Sequence, residues 1–251
     1  MSKMGQPLYG SVKDKILEMI ETGKYQPGDQ LPTEFELCKM FNVSRTTVRL
    51  ALNQLKLEGH VNQVQGRGTF VSKSKIQHRL TSYISFIDFM NSLGLANETK
   101  IIEFSVIPAS ANIAKHLRIA EKDPVFHIIR SRYVENLPFQ YSQTYISWKM
   151  APGLTKEDCE GSLYWMFENK FNHKLEKCVE QIEPVLIDQL TSEVLGIPVG
   201  SLAMLLKSTT YNVNDEPLEY SREVYRGDRS SFILERKLNV PRSSTSNDFI
   251  R

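Results

Sequence analysis

The sequence predicts an α+β protein with two folded parts. The first part is a small N-terminal module of helices and one hairpin, and the second is a larger mixed α/β domain around an antiparallel sheet. Three observations carry this prediction: apolar residues recur at helical spacing over the first 60 residues, a glycine-tipped hairpin pattern follows at 61–71, and a helix–strand–turn–strand pattern then occurs twice. A chain of 251 residues is long enough to bury two separate cores.

Basic charge is concentrated near the N-terminus. The whole chain has a formal net charge of +2, whereas residues 1–75 hold 11 Lys+Arg against 7 Asp+Glu. Such a local excess suits a surface that binds DNA, although ordinary scatter is an alternative at this size. The three cysteines form no CxxC pair, and no apolar run reaches the ~20 residues of a membrane span. No export signal is recognised either, so a cytoplasmic protein without a metal site, a cofactor or a membrane partner is expected.

The N-terminal module is predicted to contain three short helices. The first helix ends at Gly23. The second begins at Thr33, where Glu36 three residues later completes the pattern of a capping box. The third is capped by Ser44 and runs to Gly59.

The third helix is predicted to expose a polar, basic surface at its start. Arg45, Thr46 and Arg49 lie opposite its apolar residues. Arginine donates two hydrogen bonds to guanine, and threonine contacts phosphate or a thymine methyl. The hairpin tip at residues 66–68 reads Gly-Arg-Gly, which permits a tight turn close to DNA. A recognition helix followed by a wing predicts a winged helix-turn-helix, and a surface helix with solvated arginines is the alternative.

Three motifs of this module resemble those of GntR-family bacterial transcription regulators. They are Leu31-Pro32-Thr33-Glu34, Val43 to Arg49 and Gly66 to Val71, within about residues 6–72. The resemblance implies DNA contacts from Thr33, Glu34, Ser44, Arg45, Thr46, Thr47, Arg49, Gln65, Gly66, Arg67 and Gly68. Many members carry an arginine shortly after the first motif, where this chain has Phe35. Either that contact is missing here or the operator differs at that place.

The rest of the chain is predicted to hold a second domain with an internal duplication. We expect a DNA-binding domain over 1–72, a linker over 73–78 and an effector-binding domain over 79–251. The stretch from Leu117 to Ser142 matches the stretch from Leu195 to Ser221, with an offset of 78 residues before the turn and 79 after it. Two β-hairpins in one antiparallel sheet are therefore expected, with chance similarity between hairpins as the alternative.

The two copies differ in charge, and this difference predicts an anion site. Arg130 and Arg132 stand two apart on one strand and so share a face of the sheet, whereas the second copy has Ser208 and Thr210 there. Two guanidinium groups on one face repel each other unless an acid or an anion lies between them, and arginine suits phosphate and carboxylate. A structural salt bridge to a glutamate is the alternative that the sequence leaves open.

This domain resembles the UTRA effector domain of the HutC-type branch of GntR regulators, which has a chorismate-lyase-like fold. The motifs are Leu80 to Tyr83, Arg130-x-Arg132, Pro138 to Tyr145, Ser162-Leu163-Tyr164 and Tyr220 to Arg229, within about residues 78–240. The resemblance implies effector contacts from Thr81, Ser82, Tyr83, Arg130, Arg132, Ser142, Ser162, Glu219, Arg222 and Tyr225. Sugar-phosphate sensors often carry a glutamate where this chain has Ser142, so the resemblance leaves the sugar unidentified.

The sequence thus predicts a sequence-specific transcription regulator, a repressor rather than an enzyme. A homodimer would bind double-stranded operator DNA, and a small anionic effector, expected to be a phosphorylated sugar, would control the operator affinity. The five histidines are scattered and no catalytic residues are nominated. Two alternatives stay open: a chorismate-lyase-like enzyme tethered to DNA, and a regulator that senses a non-phosphorylated carboxylic acid.

Overall fold

The computed structural model describes residues 7–64, 66–72, 75–79 and 84–236. Four of the predicted contact residues, Gln65, Thr81, Ser82 and Tyr83, lie outside the described residues. The predicted overall class is confirmed: the elements form a helical N-terminal module with a hairpin and a C-terminal domain with a six-stranded antiparallel sheet.

The N-terminal module has three helices and a two-stranded hairpin. Its helices are α1 (Leu8–Glu21), α2 (Glu34–Phe41) and α3 (Arg45–Leu57), and its strands are β1 (Val61–Val64) and β2 (Gly68–Val71). The predicted caps are present, since Thr33 forms a full capping box with Glu36 and Ser44 caps α3. The apolar faces of the three helices and the hairpin enclose one core that includes Ile16, Leu37 and Leu52. The winged helix-turn-helix is thereby confirmed as a fold.

The C-terminal domain contains the remaining elements. In chain order these are β3 (Ile76–Arg79), α4 (Phe86–Ser92), β4 (Asn97–Pro108), α5 (Ala111–Leu117), β5 (Pro124–Val134), β6 (Leu137–Ser147), α6 (Leu163–Asn169), β7 (Leu175–Leu186), α7 (Gln189–Leu195), β8 (Leu202–Asn212), β9 (Pro217–Arg226) and β10 (Ser230–Ile233). A short 3₁₀ turn, Glu157–Cys159, precedes α6. Strands β4 to β9 form the six-stranded sheet, and β3 pairs with β10 in a separate parallel pair.

The sheet confirms the internal duplication and extends it. Its strand order is β4-β5-β6-β9-β8-β7, so the two halves mirror each other about the β6–β9 pair. Each half reads helix, strand, helix, strand, strand, beginning with α4 in the first half and α6 in the second. Both of these helices are capped by a serine, Ser85 and Ser162. Each copy of the duplicated unit therefore begins with a further helix and strand, α4–β4 and α6–β7, that the sequence pattern does not show.

The two faces of the sheet are covered differently. Helices α5 and α7 pack on one face, where Leu117 and Leu195 meet the central strands. On the other face, α4 and α6 cover the sheet through residues such as Met90 and Phe167, and a polar cavity lies between them. Because strand residues alternate between faces, every second residue of β5, β6 and β9 points toward this cavity side.

Two boundaries differ from the prediction. Strand β3 occupies residues 76–78 of the predicted linker, where Ile76 N donates to Arg229 O. The sequence predicts a helix from Tyr83 to about Ser92; Tyr83 lies outside the described residues, and the helix begins at Phe86 with Ser85 as its cap. Ser85 has an acidic residue three positions on, and the two side chains hydrogen-bond, which makes Ser85 the stronger capping position.

Candidate functional site

The predicted recognition helix presents its basic residues beside an acid from α2. The Glu34 carboxylate accepts a hydrogen bond from Arg45 Nε at 2.6 Å, and Arg49 Nε lies 3.9 Å from its other oxygen. Both arginine side chains are largely exposed, at 77% and 65%. Glu34 thus holds the two guanidinium groups together at the outer surface of α3, where a nucleic acid can reach them.

Two predicted contact residues of this module already serve as helix caps. Thr33 Oγ1 accepts from Glu36 N at 3.3 Å, and Thr33 N donates to Glu36 Oε2 at 2.8 Å. Ser44 Oγ accepts from Thr47 N at 3.2 Å and shares a 2.8 Å hydrogen bond with Thr47 Oγ1. These bonds fix the start of α2 and α3, so the residues position the recognition helix whatever else they contact.

The wing is held by a residue that the sequence reading missed. Gly66 and Gly68 have φ of +72° and +118°, and Arg67 between them is exposed. Gln30 Nε2 donates to Arg67 O at 2.9 Å, and a Cβ on Gly68 would lie 2.6 Å from that same nitrogen. The segment before α2 also pairs with β2 through Leu31 N and Thr69 O. The φ angle therefore favours glycine at 68, whereas the end of the Gln30 side chain could move aside for a Cβ.

A small polar cavity of about 30 Å³ lies between the sheet and the starts of α4 and α6. Its lining combines charged residues from the sheet with the first residues of the two helices: Ser85, Phe86, Ile87, Arg130, Arg132, Thr144, Gly161, Ser162, Leu163, Tyr164, Glu219 and Glu223. A second, wider depression continues from it past Trp165 and Cys178.

Arg130 is a buried cation at the bottom of this cavity. Arg130 is only 2% exposed, and its Nη2 donates a hydrogen bond to Thr144 Oγ1 at 3.4 Å. Nε and Nη1 have no partner among the described residues. Burial, with the nearby charge of Arg132, lowers the pKa of Arg130 to about 10. A buried guanidinium with two open donors is costly, because leaving such groups unpaired costs roughly 1–3 kcal/mol each, and more for charged groups.

Arg132, two residues after Arg130 on β5, lines the same cavity. Its guanidinium carbon lies 4.7 Å from the centre of the Phe86 ring, at the start of α4. No ion pair of 4.0 Å or less joins Arg130 or Arg132 to an acid among the described residues. The structural salt bridge that the sequence left open is therefore not formed within that part of the chain. Arg132 Nε, like Arg130 Nε and Nη1, is buried without a hydrogen-bond partner among the described residues.

Two glutamates line the cavity opposite the arginines. Glu219 is 4% exposed and accepts a hydrogen bond from Thr210 Oγ1 at 3.2 Å. Burial raises the pKa of Glu219 to about 7 against the opposing pull of Arg130. Glu223 accepts from Gln140 Nε2 at 2.6 Å and from the Tyr225 hydroxyl at 2.8 Å. The cavity is thus positive at one end and carries titratable carboxyls at the other.

Three further predicted effector residues lie in or near the cavity. Ser162 lines the cavity and also caps α6 by accepting from Trp165 N at 3.3 Å. Ser142 lies on the sheet between Arg130 and Glu223, buried, and its hydroxyl has no partner among the described residues. Tyr225 packs among aromatic residues and reaches the cavity through its hydrogen bond to Glu223.

The prediction for Arg222 was wrong. On β9, Arg222 pairs in register with Gln143 and Lys207 and points to the face covered by α5 and α7. The cavity residues Glu219 and Glu223 point to the opposite face, since side chains alternate along a strand. Arg222 is exposed and cannot reach the cavity.

Several cavity residues were missed from the sequence. Glu223 stands four residues after Glu219, so strand alternation alone places the two carboxylates on one face. Phe86 and Tyr164 had no such signal, because only the packing of α4 and α6 brings them to the sheet. The Tyr164 hydroxyl hydrogen-bonds to the Thr210 hydroxyl, which in turn contacts Glu219.

The arginines near the end of β9 serve the structure. Arg226 pairs with Asp228 at 2.6 Å and also donates to the carbonyl oxygens of Pro138 and Leu195. Arg229 donates to Pro138 O as well. These bonds hold the turn after β9, which meets the N-terminal module near Gly59. An added Cβ on Gly59 would lie 2.8 Å from the Asp228 Cα.

Among the described helices, none is both long and apolar enough to cross a lipid bilayer.

Comparison with known proteins gives consistent matches over both parts of the chain. Residues 8–71 match the family model "Bacterial regulatory proteins, gntR family", and residues 92–231 match the UTRA domain model. The HTH-type transcriptional repressor NagR of Bacillus subtilis is 31% identical, covering 90% of this chain and 93% of its own length. The mannosyl-D-glycerate transport/metabolism system repressor MngR of Escherichia coli is also 31% identical, covering 91% and 95%. The crystal structure of PhnF from Mycobacterium smegmatis aligns with a TM-score of 0.64 at 28% identity, over 91% of this chain and all of that one.

Proposed function

The chain belongs to the GntR family of bacterial regulatory proteins, in the branch that carries a UTRA domain, and from this premise we propose that it is a repressor released from its operator by a small anion. The proposed effector is a phosphorylated sugar held in the cavity between α4, α6 and the sheet. The single observation that carries the proposal is the buried Arg130 guanidinium, which has two open donors beside Arg132.

The charge arrangement favours an anion with further polar groups. The oxygens of a tetrahedral phosphate or a planar carboxylate can accept hydrogen bonds from two guanidinium groups. Sugar hydroxyls would then reach the Glu223 carboxylate, where hydrogen-bond donors are needed. The names of relatives give modest support, since one regulates mannosyl-D-glycerate metabolism and another fructoselysine utilization.

On the DNA side, α3 would enter the major groove with Arg45, Thr46 and Arg49, and the Gly66–Gly68 wing would follow the backbone. Glu34 pairs with these two exposed arginines, and a base or phosphate would replace it on binding. A homodimer would place two such helices on half-sites related by two-fold symmetry. Effector binding would then change the spacing of the two helices.

The experiment is a thermal-unfolding screen of the full chain against hexose 6-phosphates, amino-sugar phosphates and small carboxylic acids. A true effector at 100 times its Kd stabilises the folded state by about 2.7 kcal/mol. We expect the shift to disappear in Arg130→Ala/Arg132→Ala and in the milder Arg132→Ala alone. Arg222→Ala is the matched control, because this arginine lies on the other face of the sheet and its variant should respond like the unsubstituted chain.

The outcomes separate the alternatives. A shift with phosphorylated sugars alone supports the proposal, and a shift with carboxylic acids alone assigns the site to a non-phosphorylated acid. A ligand that is converted rather than recovered unchanged would favour a lyase tethered to DNA. If the double variant keeps the full thermal shift, the arginines do not hold the effector and the proposal fails.

A further inference from the structure

Phe35 is a large aromatic side chain that lies in solvent beside the predicted DNA-reading surface. It is in the first turn of α2 and is 66% exposed, whereas Leu37 of the same helix is buried. A single exposed aromatic residue is ordinary on a protein surface. The neighbours of Phe35 therefore decide whether it has a function.

The residue before Phe35 contacts the recognition helix. This residue, Glu34, pairs with Arg45 and Arg49 of α3. The first turn of α2 therefore touches the surface of α3 that carries the predicted base contacts. Lys39 Nζ lies 4.3 Å from the centre of the Phe35 ring, which orients the ring and adds a positive charge beside it.

We infer that Phe35 contacts the 5-methyl group of a thymine in the operator and so specifies that base. The inference rests on the proposed function, because it requires α3 to occupy the major groove. A phenyl ring has no hydrogen-bonding group, and the thymine methyl is the one apolar group that the major-groove edges of the bases offer. The Lys39 ammonium over the ring matches a neighbouring phosphate, whereas an apolar protein segment would leave that charge unused.

The test removes single methyl groups from DNA and compares two variants. The full chain first selects its operator from a random duplex pool. Each thymine of the selected operator is then replaced singly by deoxyuridine, which lacks only the 5-methyl group. We expect one thymine per half-site at which this change weakens binding about fourfold, the factor that ~0.8 kcal/mol per buried methyl group gives. For the Phe35→Ala variant, the same deoxyuridine replacement should leave operator binding unchanged.

Leu57→Ala is the control for loss of an exposed apolar side chain. Leu57 is 67% exposed at the far end of α3, so its variant should keep the methyl dependence of the unsubstituted chain. Arg49→Ala is the second comparison, since it should weaken operator binding at every deoxyuridine position alike. Lys39→Ala should lower the salt dependence of binding without changing the thymine preference.

The outcomes distinguish this inference from the proposed function. If the chain selects no operator at all, the proposed function fails. If it selects an operator but Phe35→Ala retains the same deoxyuridine profile, the thymine contact is refuted and the repressor assignment stands. A uniform loss in Phe35→Ala, equal at all positions, also refutes the contact. Thermal unfolding checks that the variant is folded, which is expected for a substitution at so exposed a residue.

Discussion

At the scale of single residues, the cavity combines two groups whose pKa values are shifted in opposite directions, each toward the neutral form. Burial lowers the pKa of Arg130 to about 10, where the group stays charged at neutral pH. Burial raises the pKa of Glu219 to about 7, so this carboxyl changes charge within the physiological range. The net charge that an incoming anion meets therefore depends on pH through Glu219.

Glu219→Gln tests this dependence. Below pH 7 the carboxyl is mostly protonated and resembles glutamine, whereas above pH 7 its charge repels an anion at the arginines. The effector Kd of the unsubstituted chain, divided by that of the variant, should be near one at pH 6 and rise several-fold by pH 8. Ionisation of the ligand itself cancels in this ratio. A ratio that falls with pH would mean that ionised Glu219 accepts a hydrogen bond from the effector.

The same residue links pH to stability. Because the folded pKa of Glu219 lies above its ordinary value of 4.5, the folded state binds the extra proton between pH 4.5 and about 7, and stability falls as pH rises through that range. Glu219→Gln should therefore raise the free energy of unfolding at pH 8, by roughly 3 kcal/mol at ~1.4 kcal/mol per pKa unit. It should change stability little at pH 4.5 or below. Chemical denaturation at the two pH values measures both.

At the scale of secondary-structure elements, the end of α3 meets the turn after β9. Gly59 follows α3 with φ of +80°, and an added Cβ would lie 2.8 Å from the Cα and 3.0 Å from the carbonyl oxygen of Asp228. Strand β9 carries Glu219 and Glu223 on its way to this turn. One strand thus connects the floor of the cavity with the end of the predicted recognition helix.

Gly59→Ala should disturb this connection. The backbone atoms of Asp228 cannot move aside as a flexible side chain would, so the two elements must separate. We expect the variant to bind effector and operator separately but to lose most of the effect of one on the other. Gly23→Ala is a matched control, since its φ is +77° and nothing lies within 4 Å of the added Cβ. Both variants bear a left-handed backbone cost of roughly 1–2 kcal/mol, but only Gly59→Ala should lose coupling.

Unchanged coupling in Gly59→Ala, relative to Gly23→Ala, would show that the contact near Asp228 does not transmit the signal. Operator affinity, measured for each variant with and without effector, decides between these results.

Elements were predictable from the sequence where local signals agreed. Helices α2 and α3 have unambiguous caps at Thr33 and Ser44, and the wing has glycines at the positions that need positive φ. The start of α4 was misplaced because two serines compete for the cap, and only Ser85 has an acid three residues later. The Arg222 error came from treating a polar segment as a cluster although strand residues alternate in direction.

At the scale of the whole molecule, a duplicated sheet carries one asymmetric charge. The order β4-β5-β6-β9-β8-β7 makes the halves equivalent in backbone, yet Arg130 and Arg132 occur only in the first half, with Ser208 and Thr210 in the second. The duplication and this difference were both visible in the sequence. The cavity itself was not, because helix packing across the sheet brings Phe86 and Tyr164 to it, and no local pattern encodes that packing.

We expect the anion at Arg130 and Arg132 and the operator at α3 to weaken each other's binding. The most direct measurement is the operator affinity of the full chain with and without a saturating concentration of the anion that gives the largest thermal shift. We expect the anion to weaken operator binding roughly 5–150-fold, the usual range of coupling between sites, and the operator to weaken anion binding by the same factor. Arg130→Ala/Arg132→Ala should bind the operator equally well in both conditions. Identical operator affinity of the unsubstituted chain with and without the bound anion would show that the anion does not control operator binding.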